Sequence, residues 1–181
     1  MTGVQDVCSS DLDLGIRNYV SRDSGPSGDT ALSTRCVVTV PPPRLTAGEL
    51  QEILRASFGE GTPIVDEVTP SGVTVRLPIS DRHGRPGGTL SGPAMMMLAD
   101  TAAWLALMSR AGAELLAVTT SLQIDFLRKP SLVDLVATAR IVKFGRVLVV
   151  SQVDLFSQGQ PDTLVATASV TYSRPKDAVT H

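Results

Sequence analysis

A run of twenty residues, Ser91–Arg110, places the strongest constraint on how this chain can fold. It is rich in Ala, Met and Leu, and Asp100 is the only ionisable side chain between Ser91 and Arg110. Ser91 is a good helix N-cap, Pro93 loses no needed hydrogen bond in a first turn, and Gly112 follows the end. A helix that is apolar on most sides must be covered by other elements. A membrane span is the alternative, but a central Asp and an Ala-rich composition disfavour it.

The rest of the patterned chain predicts one shorter helix and a set of strands. Thr46 and Glu49 have the spacing of a capping box, which predicts a helix over 46–58. Alternating apolar residues joined by short turns predict strands that pair antiparallel. The predicted strands are 64–68, 73–77, 118–126, 135–141, 147–155 and 164–172. We therefore predict an α+β domain in which a curved antiparallel sheet wraps around the long helix.

Composition excludes several classes of protein. Sixteen Lys and Arg against eighteen Asp and Glu give a net charge of −2, and aromatic residues make up 4% of the chain, which argues against a nucleic-acid-binding protein. The two cysteines, Cys8 and Cys36, and the two histidines do not cluster at ligand spacing, so no metal is expected. Two cysteines cannot form a disulfide framework, which favours a reducing, cytoplasmic setting, and no basic residue followed by an apolar segment supports secretion.

The first forty-five residues have little periodic hydrophobicity. Residues 23–29 resemble a linker, and Pro41–Pro43 is expected to be a stiff spacer. Residues 6–12 resemble translated sequencing-adapter sequence, which would place the native start further along the chain and make Cys8 non-native. We predict an extension over 1–45, one domain over 46–176 and a tail over 177–181.

The order of these elements resembles the hotdog fold, and more narrowly the acyl-CoA thioesterases of the phenylacetate-degradation type. Leu98-Ala99-Asp100 matches the second half of their helix signature, and Ser91-Gly92-Pro93 lies where their His-Gly-Gly is expected. Further similar segments are Ala117–Thr119, Phe126–Pro130, Lys143–Arg146 and Leu164–Ala168. The resemblance covers residues 62–175. It implies a homodimer, or a pair of dimers, with the active site between two protomers.

Asp100 is the first candidate catalytic residue. Its helical neighbours at three and four positions are Met96, Met97, Ala103 and Trp104, all apolar. Such a carboxylate is either satisfied structurally by hydroxyls or amides of the surrounding sheet, or available for catalysis. The resemblance implies the second role, with Asp100 acting on the thioester carbonyl carbon either as general base for water or as nucleophile.

The resemblance also implies roles for residues around the start of the helix. It gives the Gly92 N–H as donor to the oxyanion, and tight packing is the alternative reason for this glycine. Ser91 replaces the family's histidine and either caps the helix or bonds the thioester oxygen. Pro93 stands in place of the second glycine and has no N–H. Thr119 aligns with a hydroxyl that places water in some relatives, whereas strict alternation puts it on a polar face with Ser121 and Gln123.

Coenzyme A would enter as part of the substrate, and no separate cofactor is expected. Its phosphates are expected to contact Arg128, Lys129, Lys143 and Arg146, although such charges also occur as a solvated rim. Gly145 either lets a turn pass close to the pantetheine arm or simply forms the turn.

The sequence thus predicts an enzyme that hydrolyses acyl-CoA thioesters. One alternative is a non-catalytic hotdog module that binds acyl-CoA or a lipid-like ligand, since Ser91 and Pro93 depart from the family motif. Another is a hotdog dehydratase, for which His83 would be the catalytic histidine.

Overall fold

The computed structural model describes residues 17–18, 36–37 and 40–175. Arg17–Asn18 (β1) and Cys36–Val37 (β2) form an antiparallel pair with Arg17 opposite Val37. The predictions about the adapter-like start, Cys8, the linker-like segment over 23–29 and the tail over 177–181 lie outside the described residues. Among the residues that are described, no helix is long and apolar enough to cross a membrane.

The unit that begins at Val40 contains two helices, a 3₁₀ turn at Asp81–His83 and eight strands within residues 40–175. In chain order the helices and strands are α1 Ala47–Phe58, β3 Ile64–Val68, β4 Val73–Leu77, β5 Gly84–Arg85, β6 Thr89–Leu90, α2 Gly92–Ala111, β7 Val118–Phe126, β8 Leu135–Phe144, β9 Leu148–Ser157 and β10 Leu164–Ser173.

The helix boundaries follow from local capping chemistry. The Thr46 hydroxyl accepts from the Glu49 N–H at 3.3 Å, and Glu49 accepts from the Thr46 N–H at 2.8 Å, which completes the predicted capping box. Ser91 caps α2 by accepting from the Ala94 N–H at 3.4 Å. Gly112 ends α2 at a φ of 97°, a conformation that favours glycine. Both predicted helices are therefore confirmed.

Six strands form one antiparallel sheet in the order β3-β4-β8-β9-β10-β7. Helix α2 packs against β8, β9, β4, β10 and β7, and its Leu98, Leu105 and Leu107 are fully buried. This packing removes from water the apolar surface that the sequence required to be covered. The predicted α+β architecture, a curved antiparallel sheet around one long helix, is confirmed.

The folded unit extends a few residues before Thr46. The Arg44 and Leu45 N–H groups both donate to the Ser109 carbonyl oxygen, at 2.6 and 3.3 Å. Because this carbonyl lies in the last turn of α2, it has no partner within the helix and takes one from the preceding chain. Residues 40–45, which we had assigned to the extension, therefore lie in the same unit as the helices and the sheet.

An irregularity in β7 changes which residues face the helix. From Phe126 back to Ser121 each residue of β7 has a partner in β10, but Thr120 is skipped and Thr119 pairs with Tyr172. This bulge resets the alternation, because directly paired residues lie on the same face of a sheet. The prediction that Thr119 lies on the polar face with Ser121 and Gln123 is wrong. Thr119 lies on the same face as buried Tyr172, and Val118 moves to the opposite face.

Candidate active site

Asp100 lies half-buried in the middle of α2 and is held by two hydroxyl groups from the sheet. Its Oδ1 accepts from the Thr119 hydroxyl at 2.8 Å and from the Tyr172 hydroxyl at 2.9 Å. Both distances are those of good hydrogen bonds to a carboxylate. Sheet hydroxyls therefore satisfy one oxygen of the carboxylate, as one of the two sequence interpretations required, and they satisfy only that oxygen.

Tyr172 is the residue of this site that the sequence interpretation missed. Alternation within the predicted strand 164–172 places Tyr172 with the apolar residues, and the residue is 5% exposed. A buried tyrosine hydroxyl needs a hydrogen-bond acceptor, and Asp100 has no partner within its own helix. These two requirements together could have predicted the contact between Tyr172 and Asp100. Burial raises the pKa of Tyr172 well above its usual range, and the neighbouring Asp100 charge raises it further, so the phenol remains a donor.

The other carboxylate oxygen of Asp100 is left available. Among residues 40–175 the structure gives Oδ2 no hydrogen-bond partner. The neighbouring side chains on the same helix face, Met96 and Met97, are 41% and 39% exposed although they are apolar. Phe126, at the far end of β7, is 51% exposed. The site therefore combines one free carboxylate oxygen with an uncovered apolar surface.

The start of α2 offers a backbone N–H to a ligand. Gly92 is the first helical residue, so its N–H has no acceptor within the helix. A Cβ added to Gly92 would lie 3.5 Å from the Phe126 ring, an ordinary contact, so packing against Phe126 does not demand a glycine here. The Ser91 N–H donates to the His83 carbonyl at 2.9 Å, which fixes the backbone direction just before Gly92. Ser91 uses its hydroxyl as the cap, and Pro93 brings no further donor.

Gly92 and Asp100 of one chain are too far apart to act on the same carbonyl group. They are eight residues apart on one helix, which corresponds to about 12 Å along its axis. A donor to the carbonyl oxygen and a group acting on the carbonyl carbon must both lie within about 3 Å of their targets. Within one protomer these two residues therefore cannot both contact the same thioester group.

The five residues predicted to bind coenzyme A lie in two separate groups. The Arg128 guanidinium donates to the Leu164 carbonyl at 3.0 Å, near the start of β10. Lys143 pairs with Val150, which pairs with Thr171 near the end of β10. Seven residues of strand separate Leu164 from Thr171, or about 23 Å. Lys129, whose ammonium donates to the Gly87 carbonyl at 3.0 Å, belongs to the first group, and Arg146 belongs to the second.

Gly145 is explained by the turn in which it lies. A Cβ at this position would be 2.7 Å from the Leu148 carbonyl oxygen, closer than a side chain can approach. The turn is also held by Arg174, which donates to the Gly145 carbonyl at 3.2 Å and forms an ion pair with Glu114. Of the two predicted roles for Gly145, the structure supports the formation of the turn.

His83 is buried in its own turn. Its ring is within hydrogen-bond distance of Ser80 on one side, where Nδ1 lies 3.1 Å from the hydroxyl, and of Arg82 on the other. Burial and the Arg82 charge lower the pKa of His83 below its usual range. A ring engaged on both sides within its own loop favours a structural role, and no contact within residues 40–175 supports its use as a dehydratase base.

Comparison with protein families finds one match. The model of the thioesterase superfamily matches residues 87–164, a range that contains Ser91, Gly92, Asp100 and Thr119. Among curated proteins, none matches the sequence significantly.

Several solved structures resemble the chain closely. A protein from Silicibacter sp. TM1040, with a provisional thioesterase assignment, is 38% identical and superposes with a TM-score of 0.70, covering 76% of this chain and 96% of that one. The phenylacetic acid degradation protein PaaI from Thermus thermophilus, solved as a point mutant, is 26% identical with a TM-score of 0.56, covering 66% and 99%. Zebrafish thioesterase superfamily member 2, at 24% identity and a TM-score of 0.63, covers 72% and 99% and shows the fold.

Proposed function

The chain belongs to the thioesterase superfamily, and within it we propose that this protein hydrolyses acyl-CoA thioesters to a free acid and coenzyme A. The observation that carries the proposal is the free Oδ2 of Asp100, which two hydroxyl groups on Oδ1 leave open beside an exposed apolar surface. An apolar surface suits the acyl chain, and a carboxylate oxygen suits attack on its carbonyl.

The chemistry has two forms that use the same oxygen. As a nucleophile, Oδ2 bonds to the carbonyl carbon, the C–S bond breaks, and the electron pair leaves on sulfur, which takes a proton from water. Water then hydrolyses the mixed anhydride and restores the carboxylate. As a general base, Oδ2 instead takes a proton from water while the hydroxide formed attacks the carbonyl carbon. The C–S bond then breaks, and the departing thiolate receives the proton held by Asp100, which restores the carboxylate.

We propose that the complete site is formed by two protomers. The separation of about 12 Å between Gly92 and Asp100 requires that the oxyanion donor and the carboxylate at any one thioester come from different chains. The edge strand β7 and the exposed Met96, Met97 and Phe126 supply an apolar surface for a second copy of the chain. The acyl chain would then be held between the copies.

The same pairing bears on coenzyme A. Phe126 and Arg128 lie at the Gly92 end of the protomer, and Lys143 lies near the Asp100 end, where β10 finishes. A two-fold axis that brings Gly92 to the partner's Asp100 brings these two ends to the same level. We therefore propose that the phosphates contact Arg128 and Lys129 of one protomer together with Lys143 and Arg146 of the other.

The proposal is tested by thiol release from a series of acyl-CoA substrates of increasing chain length. Asp100→Asn, which keeps the size of the side chain, is expected to lower kcat by about 10²- to 10⁴-fold. Asp162→Asn, in the exposed β9–β10 turn, is the matched control and keeps full activity. An Asp100→Asn protein that hydrolyses at the wild-type rate would remove Asp100 from the reaction.

A non-catalytic binding module is the second candidate, favoured by one observation. Pro93 has no N–H where the family motif has a glycine, so the helix start offers one donor fewer. Tight binding of a non-hydrolysable acyl-CoA thioether, together with no thiol release from any thioester of the series, would select this candidate.

A further inference from the structure

We propose that Tyr172, together with Thr119, is a positioning residue that fixes Asp100 through Oδ1 and thereby selects Oδ2 as the reacting oxygen. This inference rests on the proposed function for its kinetic consequences, but the contact itself can be tested without any turnover. The Tyr172 hydroxyl lies 2.9 Å from Oδ1, and the Thr119 hydroxyl lies 2.8 Å from the same atom.

The two donors come from neighbouring strands and approach one oxygen together. Tyr172 and Thr119 are directly paired across β10 and β7, at the bulge that skips Thr120. Without the bulge, Thr119 would point to the opposite face and only one donor would reach the carboxylate. One hydrogen bond to one oxygen leaves the carboxylate free to rotate. Two hydrogen-bond donors on Oδ1, each held by a strand of the sheet, define the direction of Oδ2.

Tyr172 is well suited to hold its partner. Tyr172 is only 5% exposed and belongs to the hydrophobic core, so its hydroxyl has a fixed position. The same hydroxyl lies 3.2 Å from the Asp100 carbonyl oxygen, so it contacts both the backbone and the side chain of the residue that it orients. Because its pKa is raised by burial and by the Asp100 charge, the phenol keeps its proton at neutral pH and stays a donor.

The kinetic test is the substitution Tyr172→Phe, which removes the hydroxyl and keeps the ring. We expect kcat to fall by roughly 10- to 100-fold, the factor that loss of one hydrogen bond to a charged group corresponds to, with KM within about twofold of wild type. Thr119→Val is expected to act in the same way, whereas Thr119→Ser, which keeps the hydroxyl, retains most of the activity. The matched control is Tyr19→Phe, the only other tyrosine position in the chain.

The contact is tested separately by fluorine NMR. Incorporation of fluorotyrosine into the Tyr19→Phe protein places a single label at Tyr172. Asp100→Asn is expected to move that resonance, whereas Asp162→Asn leaves it in place.

The outcomes separate the two proposals. An active wild type with an unchanged kcat in Tyr172→Phe overturns the positioning role and leaves the thioesterase proposal intact. A wild type that hydrolyses no thioester overturns the proposed function, and the label alone then decides whether Tyr172 holds the carboxylate. If the fluorine resonance of Tyr172 has the same chemical shift in Asp100→Asn as in the parent protein, the contact between Tyr172 and Asp100 is wrong.

Discussion

At the scale of single residues, substitutions of Gly92 can distinguish the role of its backbone N–H from the effect of adding a side chain. Proline at the first helical position has no N–H but fits the backbone, since Ser91 before it is extended, with φ −80° and ψ 150°. Gly92→Pro is therefore expected to keep the fold and to lower kcat by about 10²- to 10³-fold, the loss typical of a missing oxyanion donor. The measurement is steady-state thiol release.

The control keeps the N–H and adds a methyl group. Gly92→Ala places its Cβ 3.5 Å from the Phe126 ring, an ordinary van der Waals distance, so the variant is expected to fold and to stay within a few-fold of wild-type activity. If Gly92→Ala and Gly92→Pro were equally impaired, packing against Phe126 rather than the N–H would be the reason for this glycine.

The residue scale also shows where a single sequence stops being informative. Asp100 was singled out because it is the one ionisable group in an apolar run, and its need for a partner followed from simple chemistry. Which hydroxyls would reach it depends on strand register across the sheet, a non-local quantity that alternation within one strand does not contain. Tyr172 therefore looked like an ordinary core residue of the last strand until its pairing with Thr119 was known.

At the scale of elements, local signals were sufficient for the two helices and for the six strands of the main sheet, but not for the short strands β5 and β6. The Thr46 capping box and the Ser91 cap define where α1 and α2 begin, and periodic apolar residues define the strands. This approach failed at the bulge at Thr120. Skipping one residue there destabilises the pairing of β7 with β10, and the hydrogen bond from Thr119 to Asp100 offsets that loss. Because Asp100 lies outside the strand, the sequence of the strand does not reveal the bulge. The position of a regular helix or strand is determined by its own sequence, whereas this bulge depends on contacts with neighbouring elements.

The hairpin β5–β6, which leads from His83 to the start of α2, carries a pH-dependent contribution to stability. Burial, and then the Arg82 charge, lower the pKa of His83 in the folded protein below its value in the unfolded chain. The unfolded chain therefore binds the proton more readily, and the free energy of unfolding is expected to decrease as the pH falls through about 6.5. Chemical denaturation at a series of pH values measures this decrease.

The corresponding variant is His83→Asn, whose amide oxygen can accept from Ser80 but does not titrate in this range. It is expected to flatten the pH dependence between about pH 7.5 and 5.5, a window above the titration of ordinary carboxylates. His181→Asn removes the other histidine and serves as the control, with the wild-type dependence retained. If the free energy of unfolding decreased equally with pH in His83→Asn and in wild type, another titrating group would be the cause.

At the scale of the whole molecule, the proposed two-protomer site would make function a property of the assembly, because Gly92 and Asp100 of one chain are about 12 Å apart. In a two-fold dimer each site takes Asp100 from one chain and Gly92 from the other, so the two lesions can be placed on different chains. In a mixed dimer of Asp100→Asn with Gly92→Pro, one site receives both defects and the other receives none. The two inactive proteins are therefore expected to restore activity to each other when their subunits are exchanged or the two chains are co-expressed.

Random pairing would make half of the dimers mixed, each with one intact site, so the mixture is expected to recover about a quarter of wild-type activity. The control is Asp100→Asn mixed with a chain that carries both substitutions, because no pairing of these two restores an intact Asp100 and the mixture stays inactive. Light scattering confirms that every sample is dimeric. If mixed dimers of the two single variants form and still release no thiol, carboxylate and oxyanion donor come from the same chain, and the composite site is wrong.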